Sequence, residues 1–86
     1  MKIVKVVVVS RRKEFIDAVT ENLAKKLHKS VSALIINPDI YPVDTVDIAD
    51  LVGDYVIIDA QSLTLLELKE LIRKCSECGI TYYLLS

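Results

Sequence analysis

The chain has 86 residues, of which 52% are hydrophobic and 27% charged, with two glycines, two prolines and no tryptophan. This length and apolar content predict one domain over residues 1–86 and exclude a second domain, a disordered chain and a collagen-like repeat. The net charge of −1 gives no overall attraction to nucleic acid or anionic lipid, and no apolar run approaches the length of a membrane span. Two cysteines and an N-terminus without a signal-peptide pattern favour a cytoplasmic protein with no membrane partner.

The first half of the chain predicts a strand, a helix and a second strand. Residues 3–9, IVKVVVV, are β-branched almost throughout, which is typical of a central strand covered on both faces. Residues 11–29 carry apolar side chains at spacings of three and four, so they predict an amphipathic helix, with Ser10 as its N-cap. Residues 33–36, ALII, read as the next strand, which an Asn-Pro-Asp sequence ends.

A short second helix is predicted next, between a possible cap at Asp44 and a stop at Gly53. Asp47 falls at its third position, and Val43 can pack against Ile48 as a hydrophobic staple. Three start and stop signals in this segment therefore favour a helix over a structureless loop.

The last part of the chain predicts a strand, a third helix and a final strand. Residues 54–59, DYVIID, are the third strand. Thr64 and Glu67 form a capping box that opens the third helix, Gly79 ends it, and residues 80–85 are the last strand.

Strands that alternate with helices predict an α/β domain with a four-stranded parallel sheet, right-handed crossovers and helices on both faces. If residues 38–53 formed only a loop, the pattern would become the ferredoxin-like β-α-β-β-α-β arrangement. The second helix therefore decides between the two folds.

The third strand, with Asp59 at its end, resembles the strand that carries the phospho-accepting aspartate in receiver domains of response regulators. Ser86 falls where that family has a small hydroxyl residue. The family's acidic Mg²⁺-binding pair is replaced here by Ser10 and Arg11, and the family's lysine-bearing final strand has no counterpart. The resemblance implies a truncated pseudo-receiver with the flavodoxin-like strand order 2-1-3-4 and without phosphotransfer.

Ligands of open parallel sheets bind at the carboxyl ends of the strands, where the strand order reverses. Ser10, Arg11, Arg12, Asp59 and Ser62 meet at that point of the predicted sheet, and a guanidinium among them disfavours a metal ion. Two interpretations remain. Arg11 pairs with Asp59 in an internal ion pair, which we favour, or the arginines and the helix N-terminus hold a phosphate or another anion.

The remaining polar motifs favour structural roles, and no cofactor is predicted. Cys75 and Cys78 end a helix rather than open one, so buried thiols are favoured over a zinc site shared by a dimer or a disulfide. His28 is expected in solvent, far from any serine or cysteine nucleophile, which argues against an enzyme. Acidic residues at every third position are expected on a solvated face rather than in a metal site: Asp44, Asp47 and Asp50.

Charge is distributed unevenly along the chain. Residues 1–29 hold eight basic and three acidic residues, a local charge of +5, whereas residues 30–68 hold seven acidic residues and no lysine or arginine. The scarcity of asparagine and glutamine points to a thermophilic source. A nucleic-acid partner is disfavoured because the basic first helix offers no aromatic stacking residue outside its buried stripe.

In a 2-1-3-4 sheet only the first helix covers one face, so that face is expected to be half bare beneath the third and fourth strands. Large apolar residues there would be left uncovered, and the last strand has no charge or proline to discourage pairing. We therefore expect a non-enzymatic interaction or regulatory module that forms a homodimer or binds a protein partner. Its expected interface consists of alternate side chains of the third and fourth strands. The first possible set is Tyr55, Ile57, Tyr82 and Leu84, and the second is their neighbours Val56, Ile58, Tyr83 and Leu85.

Overall fold

The computed structural model describes residues 3–85, which form one parallel sheet in the order β2-β1-β3-β4. This confirms the predicted α/β fold and strand order, and it excludes the ferredoxin-like alternative, which requires antiparallel pairing. Ser86 lies outside the described residues. The strands are β1 (Val4–Val9), β2 (Val31–Ile36), β3 (Tyr55–Asp59) and β4 (Tyr83–Leu85), and the helices are α1 (Lys13–Leu27) and α2 (Leu65–Glu77).

The valines of β1 explain why this strand is central. Successive side chains of a strand point to opposite faces, so a strand buried on both sides needs an apolar residue at every position. Val6 and Val8 pack in the cluster beneath α1, whereas Val7 and Val9 pack in the cluster beneath α2. All four valines are buried, and helices therefore lie on both faces of the sheet as predicted.

The two ends of α2 are formed as the sequence predicts. The Thr64 hydroxyl accepts from the Glu67 amide at 3.2 Å, and the Glu67 carboxylate accepts from the Thr64 amide at 2.9 Å. At the other end, Gly79 has a φ of 66°, and the Ile80 amide donates to the Cys75 carbonyl at 2.8 Å. This is a Schellman end, in which a left-handed glycine satisfies the last carbonyls of the helix.

The predicted second helix is wrong. Residues 43–51 form two short 3-10 turns, Val43–Thr45 and Ile48–Leu51, separated by extended backbone at Val46 and Asp47. Asp47 forms a capping box with Asp50 and so begins a new turn in the middle of the expected helix. Acids at every third residue match the three-residue repeat of a 3-10 turn. The connection from β2 to β3 therefore covers the sheet less completely than an α-helix would.

This connection is held to the rest of the domain by Lys74 of α2. The Lys74 ammonium donates to the carbonyl of Val43 at 2.9 Å and to that of Val46 at 2.6 Å. Gly53 does not end a helix; its Cα lies close to β1, where a Cβ would come within 3.2 Å of the Lys5 carbonyl oxygen. The connection is thus anchored at both ends despite its lack of regular helix.

Several element boundaries differ from prediction, and among them β2 begins at Val31 rather than at residue 33. Helix α1 begins at Lys13 with Arg12 at the N-cap position, because the Ser10 hydroxyl is engaged elsewhere. Strand β4 begins at Tyr83 rather than at residue 80, since Ile80 still completes the end of α2.

Candidate functional site

A cluster of charged and hydroxyl side chains lies at the carboxyl ends of β1 and β3, where the strand order reverses. We call it the polar cluster. It contains the five predicted site residues together with two that the sequence did not point to: Ser10, Arg11, Arg12, Asp39, Asp59, Ser62 and Glu67. The structure therefore brings all five predicted residues together.

Asp59 is the buried centre of the polar cluster, with no exposed surface. Arg12 donates to both of its carboxylate oxygens at 2.8 Å, and the Ser10 hydroxyl donates to Oδ2 at 2.7 Å. The Gln61 amide donates to Oδ1 at 3.2 Å. Each oxygen of Asp59 thus accepts two hydrogen bonds, which satisfies its hydrogen-bonding capacity without a ligand.

Asp59 forms an ion pair with an arginine as predicted, but that arginine is Arg12 rather than Arg11. Arg11 does not contact Asp59; it makes a two-bond pair with Glu67, with both N···O distances at 2.7 Å, and its Nε donates to Asp39 at 2.9 Å. It also donates from Nη1 to the Ser62 carbonyl and from its backbone amide to the Ser62 hydroxyl. Because adjacent residues project in different directions, the two arginines find different acids.

Sequence reasoning missed Asp39 and Glu67 as members of the cluster. Glu67 was recognised as a helix-capping residue, and the same Oε1 that accepts from the Thr64 amide also accepts from Arg11. The available signal was the presence of a second arginine, which needs a second acid near the strand ends. Asp39 follows β2, whose carboxyl end lies at this same edge of the sheet.

The ion pairs set the protonation states of the acids. Burial alone would raise the pKa of Asp59, but the hydrogen bonds from Arg12 and Ser10 outweigh it and hold that pKa below its ordinary value. Hydrogen bonds from Arg11 lower the pKa of Glu67 to about 2. The same hydrogen bonds raise the pKa of the two arginines, so all four groups are charged at neutral pH.

The polar cluster is chemically closed. Both guanidinium groups already make two-bond pairs with carboxylates, so a phosphate could take the same two donors of either arginine only by displacing Asp59 or Glu67. Asp59 has no exposed oxygen with which to attack a phosphoryl donor. The arrangement is that of an internal ion-pair network, which fixes the loops at the carboxyl ends of the strands.

The other predicted candidates lie apart from the cluster. Cys75 is buried, as expected, and burial raises the pKa of its thiol, whereas Cys78 is exposed, which corrects the expectation that both sulfurs point inward. The reason is that Cys78 is already the C-cap of α2, where the chain turns away from the core. His28 is exposed and ends α1 in a left-handed conformation with a φ of 52°. Within residues 3–85, no group of three histidine, cysteine or acidic side chains is arranged to hold a metal ion.

The predicted interface residues lie on both faces of β3 and β4. The residues that share a face are not the ones that the sequence analysis placed together. Ile57 is level with Tyr83, and Asp59 is level with Leu85, so residues of the same parity share a face. A shallow apolar groove with a volume of about 250 Å³ lies on the face beneath α1, and we call it the shelf. It is lined by Leu23, Tyr55, Ile57, Tyr83 and Leu85. Tyr82 and Leu84 point to the α2 side, where Tyr82 packs against the core.

The shelf is open at its outer side. Tyr83 is 48% exposed and Leu85 is 43% exposed, whereas Ile57 is buried and therefore covered within the chain itself. The Tyr55 and Tyr83 rings both line the shelf, with their centres 6.1 Å apart in a tilted arrangement. The uncovered portion is consequently the outer edge of the sheet, along β4.

A second open edge lies along β2, at the end of the sheet where the predicted strand order places it. Leu34 is 49% exposed and Ile35 is 46% exposed, although these neighbours project to opposite faces. The connection from β2 to β3, in which two 3-10 turns replace the predicted helix, lies on the side of Leu34, whereas Ile35 lies on the side of α1. Both lateral edges of the sheet thus present apolar side chains.

Comparisons with known proteins do not assign the chain to a family. The chain matches no protein-family model, no curated protein and no solved structure with which it was compared. In the part of the chain that the structure describes, no helix is long and apolar enough to cross a membrane.

Proposed function

We propose that this chain is a non-enzymatic association module that forms a homodimer through β4 and the shelf. The observation that carries the proposal is the exposure of Tyr83 and Leu85 beside a strand whose outer edge pairs with no other strand in residues 3–85. Such an edge, without charge or proline, is a template for pairing with another chain. The closed polar cluster supports the non-enzymatic part, because its nucleophiles and cations are engaged with one another.

A two-fold axis normal to the sheet explains why a second copy is the occupant. Antiparallel pairing of β4 with its symmetry mate keeps each face of the sheet continuous, so Tyr83 and Leu85 at the outer side of one shelf pack against the same residues of the other. The shelf is lined by apolar and tyrosine side chains alone. Lys29 and Asp54, of opposite sign, lie beside Tyr55 and Tyr83 at the amino end of the strands. With a net charge of −1, two copies repel each other only weakly.

The mass of the chain in solution tests this proposal, by sedimentation over a range of concentrations. Tyr83→Glu places a charge at the centre of the interface, so we expect it to weaken the dimer by about 100-fold. Leu66→Glu is the matched control, because Leu66 is 79% exposed on α2 and does not line the shelf. It should leave the dimer intact.

Either of two results would contradict the proposal. One is a wild-type mass of a single chain at all concentrations up to about 100 µM, beyond the range of a stable dimer. The other is equal loss of the dimer in the Tyr83→Glu and Leu66→Glu variants, which would place the interface elsewhere.

A further inference from the structure

The two cysteines of the chain lie at the end of α2 and differ in exposure. Cys75 is fully buried and packs in the cluster beneath α2, whereas Cys78 is exposed at the C-cap position. Both are free thiols. A buried thiol beside an exposed one suits a reactive pair, because one sulfur can meet a reagent from solvent while the other is shielded from it.

The helix holds the two residues at a separation that a disulfide can bridge. They are three positions apart in a helix that extends to Glu77, so the rise and radius of an α-helix place their Cα atoms about 5 Å apart. Disulfides join residues whose Cα atoms lie about 4.4–6.8 Å apart. The path of the backbone therefore already brings the two Cα atoms within range.

The side chains must come closer than they are in a regular helix. Cβ atoms three positions apart are separated by about 5–6 Å, whereas a disulfide needs about 3.5–4.5 Å. Cys78 is the residue that can supply this approach. It has left the helical conformation, with a φ of −107° and a ψ of 7°, and a Cβ at the next residue, Gly79, would meet no atom beyond its chain neighbours within 4 Å. The last turn has room to adjust while Cys75 keeps its place in the core.

We propose that Cys75 and Cys78 form a redox site at which an oxidised low-molecular-weight thiol, RS–SR, converts the two thiols into a disulfide within one chain. Cys78 reacts first because it is exposed. Cys75 is unsuited to that step, since burial and the neighbouring Cys78 raise the pKa of its thiol, and the thiolate is the form that attacks. The proposal does not depend on the homodimer.

The reaction consists of two thiol–disulfide exchanges. The Cys78 thiolate attacks one sulfur of RS–SR, the S–S bond breaks, and one RS⁻ leaves with the electron pair of that bond. The Cys75 sulfur then attacks the Sγ of Cys78 from the core side and expels the second RS⁻ toward solvent. Each thiol of the chain gives up a proton and each RS⁻ takes one up. Two thiols of the chain are thus oxidised, and one RS–SR is reduced to two RSH.

A second copy of the chain is disfavoured as the source of the second thiol. Within one chain the two sulfurs are tethered by two intervening residues, which corresponds to an effective concentration in the millimolar range or above. Cys78 of another molecule is present only at the concentration of the protein, about 10 µM in a typical assay. Exchange within the chain therefore precedes a link between chains.

Oxidised glutathione is the probe, and intact-mass spectrometry after acid quenching follows the folded chain over time. We expect an adduct of one glutathione, which then gives way to a chain two hydrogens lighter than the reduced form and is restored by dithiothreitol. Cys78→Ser should form neither product, because Cys75 is buried, and Cys75→Ala should stop at the adduct. A wild-type chain that stops at the adduct, or that becomes linked to another chain, would overturn the proposal. Reaction of Cys78→Ser as fast as the wild type would do the same.

The equilibrium constant for the disulfide separates a site built by the fold from two cysteines that are close only in sequence. It is measured from the fraction oxidised in mixtures of oxidised and reduced glutathione, for the wild-type chain in buffer and in denaturant. We expect it to be about tenfold larger in the folded chain, because α2 holds the two Cα atoms within range. No variant is needed, so a loss of folding in Cys75→Ala does not affect the result. An equal or smaller constant in the folded chain would overturn the proposal.

Discussion

The carboxyl ends of the strands and the lateral edges of the sheet differ in how completely their binding groups are used. At the strand ends, two arginines and three acids pair with one another, and Asp59 has no exposed surface. At the edges, the outward backbone groups of β2 and β4 have no partner among the described residues, and large apolar side chains are exposed. In this small sheet the charged groups at the strand ends form part of the internal framework, and the unpaired backbone groups and exposed apolar side chains lie at the edges.

The largest effect is expected from removal of Asp59. The change Asp59→Ala should lower the free energy of unfolding by about 3 kcal/mol, because it leaves the hydroxyl, amide and guanidinium donors around it without an acceptor. Chemical denaturation measures the effect. Asp59→Asn should lose less, since its side chain keeps an acceptor. The control Asp44→Ala removes an exposed acid; a loss equal to that of Asp59→Ala would show that the cluster is not a structural centre.

The pH dependence of stability comes next in size. The pKa of Glu67 is about 2 in the folded chain, whereas its ordinary value is 4.5. The stability that the Glu67 carboxylate contributes is therefore fully present above the ordinary pKa and is lost as the pH falls through the folded-state pKa. We expect the free energy of unfolding to fall by about 2 kcal/mol between pH 6 and pH 2, with Asp59 acting in the same direction. Thermal unfolding at a series of pH values measures the slope. In Glu67→Gln the slope should be smaller, and an unchanged slope would contradict the assignment.

Substitutions at the open edges should have a smaller effect on the single chain. Ile35→Thr and Leu85→Thr each keep a residue compatible with a strand or turn and remove exposed apolar surface, so we expect losses of about 0.5 kcal/mol. The measurement is chemical denaturation at concentrations below the dimer range. Losses as large as that of Asp59→Ala would mean that these side chains are covered in the single chain.

Chemical phosphorylation is expected to have no effect at all. Incubation with acetyl phosphate and Mg²⁺ should leave the mass of the chain unchanged, because both oxygens of Asp59 are engaged and buried. Intact-mass spectrometry checks this. A phosphoryl group that is gained by the wild type and not by Asp59→Asn would establish the receiver-like alternative.

The sequence was sufficient for the sheet and insufficient for its connections. Valine at almost every position of β1 permits only a strand buried on both faces, and the Thr64 capping box defines where α2 begins. The segment from Asp44 to Gly53 carries the same kind of capping signal, but an internal capping box at Asp47 divides it, and acids spaced by three suit a 3-10 turn as well as a helix.

The polar cluster shows a similar limit. Strand order predicted which residues meet at the carboxyl ends, since that follows from topology alone. Which of two adjacent arginines reaches Asp59 depends on the path of the chain into α1, and the sequence does not encode that path in any local motif. The predicted strand order already places β2 at an edge, but the exposure of Leu34 escaped prediction because a helix was expected in the connection that follows β2.

Hydrogen–deuterium exchange of the chain at dilute and at concentrated conditions tests most directly which edge carries self-association. We expect a higher concentration to slow exchange of the β4 amides, Tyr83–Leu85, and to leave exchange of the Val31, Ala33 and Ile35 amides in β2 unchanged. Protection that appears in β2 instead, or no concentration dependence in either strand, would contradict it.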